Sequence, residues 1–310
     1  MKNLYGYLSV FLCLVLLLLP LIPSKSEAKA VNTLPLDTQP EQLFRLKDAD
    51  TGEITKISAK DYIIGVVSAE MPALYHEEAL KAQAVASYTF ALYRKEENKD
   101  KDYDITTSSS LDQAYITNEA AKEKWGDKYS VYSEKISNAV TSVLGQTVTY
   151  DGKCALTVYT AISGGKTEAA KNIWGKDISY LTPVESIGDL LSPDYLSTAS
   201  FTEAQIIEKI PELKDIPYKN WFLSPQYSDS GTVLNMKFGD KTIEGSKIRD
   251  CLSLKSANFD VVFENNTFNF NVRGYGHLVG MSQYGANYMA LQGSTYTEIL
   301  KWYYKGCEIS

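Results

Sequence analysis

Histidine is the scarcest chemistry-bearing residue in this 310-residue chain, present only as His76 and His277. Two histidines exclude a His-rich metal centre. Cysteine is nearly as sparse. Cys13 lies in an apolar run, which leaves Cys154, Cys251 and Cys307. That odd number leaves at least one thiol unpaired within an exported molecule. A mixed Cys/His zinc site would require distant residues to converge, so neither metal nor cofactor is assigned. Arginine occurs four times, as Arg45, Arg94, Arg249 and Arg273, and the net charge is −7. The first thirty residues carry +2 (Lys2, Lys25 and Lys29 against Glu27), so the remainder carries −9. An acidic, arginine-poor domain excludes nucleic acid as the expected partner. A neutral polymer such as a sugar chain suits it better. Long apolar runs are absent except one, Leu8 to Ile22, interrupted by Pro20 and followed by Ala28-Lys29-Ala30. This segment predicts export, either as a cleaved signal peptide or as a retained membrane anchor.

Two enzyme signatures are also missing. There is no G-x-S-x-G nucleophile elbow. Gly274, Gly276 and Gly280 suggest a dinucleotide fingerprint, but their spacing is one residue too long and the neighbouring strands read as antiparallel hairpins. They are better read as a loop presenting His277, Ser282 and Gln283 at a cleft.

What the chain does have centres on residues 61–94. Ile63, Val66 and Val67 precede Glu70 at helical spacing, so Glu70 falls on the apolar face of a first helix. Pro72 pushes Met71 out of the helical region and ends that helix. The negative end of the helix dipole and partial burial both favour a protonated carboxyl at Glu70. A general acid needs that state near neutral pH. Spacing alone favours a glutamate that reaches solvent, as most such residues do. A second helix follows, with Ala82, Val85, Ala86 and Thr89 forming a small-residue face.

The rest reads as α+β: one large mixed domain of helices and antiparallel hairpins with a substrate cleft, behind the N-terminal apolar segment. Residues 1–30 form that segment, 31–42 a linker and 43–310 the domain. A hairpin is expected over Leu43 to Ile57, a polar loop over Asp104 to Thr117, and an amphipathic helix over Tyr132 to Leu144. Strands are expected at Gln146 to Tyr150 and Cys154 to Ala161, with Asp151-Gly152 between them as a hairpin turn. A helix is expected over Thr202 to Leu213, then short strands to Arg273 with Asn265-Asn266 as the last turn. Helices over Ser282 to Leu291 and Thr297 to Tyr304 close the chain.

Three stretches together resemble the stage II sporulation protein D family of lytic transglycosylases, a family related to the amidase-enhancer domain of bacterial wall proteins. The first is Val66 to Ala73 continuing through Glu78 to Ala86. The second is Tyr159 to Glu168, ending in Ser163-Gly164-Gly165-Lys166-Thr167-Glu168, with Trp174-Gly175 beyond. The third is Gly274-Tyr275-Gly276-His277 with Gly280 to Ala286. The resemblance covers roughly Leu43 to Cys307. It implies that Glu70 is the catalytic residue, cleaving the MurNAc–GlcNAc bond of peptidoglycan without water and leaving a 1,6-anhydro end. A single carboxyl suffices for that reaction, whereas ordinary glycoside hydrolysis needs two. It also implies Gln113, Tyr115, Ser163, Thr167, Arg249, His277, Ser282 and Gln283 as substrate-binding residues. Peptide-stripped glycan strands are the implied substrate. A wall amidase or endopeptidase of the engulfment machinery, with its membrane partner, are the implied associates on the outer face of the cytoplasmic membrane. Two alternatives stay open: a non-catalytic enhancer of a wall amidase, and a hydrolase using a second carboxylate such as Asp112. Two departures stand out. The family usually has Gly-His-Gly where this chain has Gly276-His277-Leu278, which raises the expectation of a different backbone there. Some relatives carry Cys and His in the polar loop as zinc ligands, where this chain has Thr106, Leu111 and Asp112.

Overall fold

A computed structural model of the chain describes residues 42–310. The apolar segment and nearly all of the expected linker lie outside the described residues. The described residues form one unit of mixed helix and sheet, in keeping with the α+β expectation.

The expected hairpin is present as β1 (Leu43–Lys47) and β2 (Ile54–Ser58), paired antiparallel. Asp48 holds its turn by accepting from the Asp50 and Thr51 amides at 3.0 and 2.7 Å. Ser58 then caps α1 (Ala59–Glu70) by accepting from the Asp61 amide at 3.0 Å. Met71, forced extended by Pro72, has φ −113° and ψ 137° and stops the helix one residue after Glu70. Ile63, Val66 and Val67 are fully buried, as their spacing predicts. His76 begins α2 (Glu77–Glu97) by accepting the Glu78 amide on Nδ1 at 3.2 Å.

Helix α2 is the spine of the main core. Ala82, Val85, Ala86 and Thr89 are all fully buried. Their small size lets extended backbone approach as well as helices: the Thr157 hydroxyl donates to the Ala86 carbonyl at 2.7 Å. Packed around α2 are α1, α4 (Tyr129–Val143), α8 (Gln283–Leu291) and α9 (Tyr296–Tyr303). Between α2 and α4 the chain forms β3 (Ile105–Thr106), parallel to β1, then a polar loop and α3 (Asn118–Trp125). The short, strongly charged α3 lacks an apolar stripe, which is why periodicity did not reveal it. It is started by Thr117, whose hydroxyl accepts the Ala120 amide at 3.2 Å.

The Asp151-Gly152 turn joins β4 (Val148–Tyr150) to β5 (Lys153–Cys154), with positive φ at both turn residues. The expected long strand from Cys154 to Ala161 is broken. Only β6 (Tyr159–Thr160) is regular beyond β5, because the intervening backbone is bound elsewhere: the Leu156 amide donates to the Tyr180 hydroxyl at 2.7 Å. β6 pairs in parallel with β13 (Met281–Ser282). The glycine loop before β13 lies against this segment. A side chain at Gly280 would strike the Val158 carbonyl at 2.0 Å, and Gly280 has φ +76°.

After α5 (Ala170–Trp174), the chain builds a second hydrophobic cluster. Three strands, β7 (Leu196–Thr202), β11 (Phe259–Glu264) and β12 (Thr267–Arg273), form one sheet in the order β11-β12-β7. A second sheet holds β8 (Leu223–Tyr227), β9 (Val233–Phe238) and β10 (Lys241–Glu244). Helices α6 (Glu203–Lys209) and α7 (Gly245–Leu252) pack against them, and β14 (Glu308–Ile309) closes the chain against β4. Phe222, Phe238, Phe259, Phe268 and Phe270 fill this cluster. Polar bonds tie the clusters together: the Ser230 hydroxyl donates to the Thr167 carbonyl at 2.7 Å, and Ser228 donates to the buried Glu168 carboxylate.

Candidate active site

Glu70 is the last residue of α1 and is half-buried beside a cavity of about 630 Å3. Its Oε1 accepts from the Ala114 amide at 2.9 Å and faces the Tyr159 hydroxyl at 3.4 Å. The Gln283 side-chain amide also supports the charged form. Burial outweighs these partners and holds the Glu70 carboxyl above the usual glutamate range. Tyr159 is itself positioned by Gln113. The Gln113 Nε2 donates to the Ser87 carbonyl at 3.3 Å, and a carbonyl can only accept, which orients the amide. Its Oε1 therefore faces Tyr159 and accepts from the phenol at 2.9 Å. With that hydrogen directed at Gln113, the phenol oxygen is left to accept from a protonated Glu70.

His277 and Trp174 line the same cavity, with ring centroids 5.0 Å apart and edge to face. Burial and the neighbouring Arg249 charge lower the His277 pKa to about 4, so the ring is neutral at pH 7. Leu278 takes φ +68°, the left-handed backbone that glycine favours. The leucine adopts a glycine-like conformation and is held there by burial and by its amide's bond to Thr160 Oγ1 at 3.2 Å.

Asp112 also reaches the cavity wall, but its side chain is 0 % exposed and fully engaged. Arg94 Nε donates to its Oδ1 at 2.7 Å. The Thr106 amide and hydroxyl donate to its Oδ2 at 2.9 and 2.7 Å. A carboxylate buried and ion-paired in this way is poorly placed to activate water, which argues against the hydrolase alternative. Of the residues at the places where some relatives hold zinc, Thr106 and Asp112 enter this ion-paired clamp and Leu111 is exposed; they do not fit as a metal donor set.

Residues 47–150 match the family model described as stage II sporulation protein. Stage II sporulation protein D of Bacillus subtilis (strain 168) is 34% identical over 336 residues, spanning 100% of this chain and 96% of that protein. The protein of the same name from Bacillus amyloliquefaciens is 33% identical over 325 residues, spanning 96% of this chain and 93% of its own length. The chain belongs to the stage II sporulation protein D family. A more distant relative is the amidase enhancer of Bacillus subtilis (strain 168), 26% identical over 299 residues, 79% of this chain and 40% of that protein.

The other residues proposed from sequence fall in several places. Gln113 and His277 line the Glu70 cavity, and Gln283 supports the carboxylate from α8 while donating to Gln83 Oε1 at 3.3 Å. Tyr115 faces away, stacked on Tyr62 at 5.7 Å and lining a separate groove of about 580 Å3. Ser163, Thr167 and Ser282 are fully buried and do not line the cavity. Ser163 and Ser282 donate their hydroxyls to Asp189 at 2.5 and 2.7 Å, and Thr167 Oγ1 accepts the Val184 amide at 2.9 Å. Through Asp189, Ser163 and Ser282 join the second motif to the third, while Thr167 ties the second motif to Val184; none of the three faces the cavity. Arg249 sits beside His277 with its Nε buried and without a partner. Sequence reasoning missed Tyr159 in the site and missed Asp189. Tyr159 opened one of the three motifs, but nothing in spacing shows a phenol meeting a carboxylate 89 residues away. Asp189 lies in a stretch with no motif at all.

Proposed function

We propose that this protein is a peptidoglycan lytic transglycosylase acting on peptide-stripped glycan strands, with Glu70 as its single acid and base. The carrying observation is the carboxyl at the end of α1, beside a cavity and held above its ordinary pKa, with Asp112 in the same wall committed to Arg94. Protonated Glu70 donates to the glycosidic oxygen as the C1–O bond breaks. The C6 hydroxyl of the same sugar bonds to C1, and the Glu70 carboxylate takes its proton. The product carries a 1,6-anhydro ring, no water is consumed, and the enzyme returns protonated. Neutral His277 and Trp174 offer a polar and an aromatic face to the sugar, and the domain's negative charge suits a glycan stripped of peptides. The kinship to sporulation proteins supports a role in sporulation. On this reading the enzyme remodels septal wall during engulfment, outside the cytoplasmic membrane on its N-terminal segment, alongside a wall amidase and its membrane partner.

The distant kinship to an amidase enhancer favours a second reading, a non-catalytic glycan-binding module that stimulates an amidase. Incubating the protein with peptide-free glycan and analysing products by mass spectrometry separates the two. Anhydro ends support the transglycosylase, and bound but uncleaved glycan supports the module.

A further inference from the structure

Helix α1 ends with an electrostatic problem. Its last carbonyls are open, its negative dipole end meets the Glu70 carboxylate, and its last turn holds no basic residue. The Met71 amide satisfies only the Val67 carbonyl, at 3.0 Å. The missing cation comes from α3. Lys124 Nζ donates to the Ser68 carbonyl at 2.9 Å and to the Ala69 carbonyl at 3.4 Å, the two residues immediately before Glu70.

We propose that Lys124 is the positioning residue and counter-charge of the Glu70 site, closing the open end of α1 and fixing a cation beside the carboxyl. The segment that carries it is built to do so. Gln113, the Ala114 amide and Lys124 all come from residues 113–124, and all converge on the end of α1. Gly65 lets this segment lie against the helix: a side chain there would strike Tyr115 Cε2 at 2.4 Å and the Ile116 carbonyl at 2.7 Å. Tyr62 from α1, Tyr159 from β6 and Lys124 from α3 are the titratable groups whose charges couple to the carboxyl's surroundings. Arg94, Glu97, Asp112, Lys176 and His277 line the cavity beyond them. The coupling between lysine and glutamate runs in both directions, each favouring the charged form of the other. Without the lysine, burial and the helix dipole would act on Glu70 unopposed, and its carboxyl would lose protons only at higher pH.

The assignment rests on Glu70 as acid and base only in its kinetic consequence; the titration stands by itself. In the full chain with 13C-labelled glutamate carboxyls, Glu70→Gln identifies the Glu70 resonance. Lys124→Met should move its midpoint to higher pH, and Lys124→Arg should leave it near the wild-type position. Reciprocity supplies a second arm that leaves Lys124 and its backbone partners untouched. In Glu70→Gln, the Lys124 ammonium midpoint, followed by NMR of labelled lysine, should fall. Should Lys124→Met fail to fold, that second arm decides the matter. Unmoved midpoints overturn the assignment. In wall-glycan cleavage, Lys124→Met should shift the alkaline limb of the pH–rate profile upward, which a merely structural lysine would not do. Coupled midpoints with cleavage indifferent to Glu70→Gln would support the role of Lys124 and remove the catalytic reading.

Discussion

At the scale of single residues, Glu70 and His277 carry opposite pH signatures. The Glu70 carboxyl is raised by burial, so the folded protein binds its proton more tightly than the unfolded chain does. Stability from this group is complete below the ordinary glutamate pKa and is lost as pH rises through the raised value. Glu70→Gln should therefore raise Tm at neutral pH, and the gain should vanish in acid; thermal unfolding across pH checks this. His277, lowered from 6.5 to about 4, behaves in the reverse sense. Its contribution is complete above pH 6.5 and is lost as pH falls toward 4, so His277→Gln should flatten that part of the stability curve. Leu278 sets two effects against each other. Relieving a left-handed leucine is worth about 1–2 kcal/mol, but removing a buried leucine side chain costs about 2–5 kcal/mol. Burial outweighs strain over nearly all of both ranges, so Leu278→Gly should destabilise the fold by up to ~4 kcal/mol in chemical denaturation.

At the scale of elements, the polar stretch from Asp104 to α3 flanks the site, and two of the four arginines hold it. Arg45 grips Asp104 at its start, with Nε and an Nη at 3.0 and 2.7 Å, and Arg94 grips Asp112 in its middle. Asp112→Ala leaves Arg94 and Thr106 without their buried partner. Breaking such a pair costs about 3–5 kcal/mol. Much of that should appear locally, as faster hydrogen exchange at Ala114 and loss of its bond to Glu70. Gly65→Ala should act from the other side: the added methyl group drives Tyr115 and Ile116 off α1, and overpacking of this kind costs about 1–3 kcal/mol. The first hairpin, both helices around Pro72 and both two-residue turns were legible because caps, prolines and turn residues act locally. Helix α3 was not, since its charged sequence forms a helix through its Thr117 cap and its docking on α1. The strand expected up to Ala161 stopped early because Tyr180 and the glycine loop, both distant in sequence, take its backbone bonds.

At the scale of the molecule, the described residues hold two hydrophobic clusters within the stretch read from sequence as one domain, since apolar periodicity marks which residues are buried but not which buried residues meet. The same limit governed the site. Glu70 was legible as an apolar-faced carboxyl at a helix end, and the motifs assigned it a role. Ser163 and Ser282 carried equally clear motifs, yet both turn inward to Asp189, and their place is to hold the glycine loop against β6. Asp189→Ala should therefore unfold this junction, with a loss of Tm, because it strands two buried hydroxyls whose partner is gone. The central claim is that one carboxyl runs the whole reaction. Its most direct test is product analysis of peptide-free glycan after incubation with the wild-type protein and with Glu70→Gln. Anhydro-MurNAc ends from the wild type and none from Glu70→Gln are the predicted result. Reducing ends from the wild type, or anhydro ends that persist in Glu70→Gln, would contradict it.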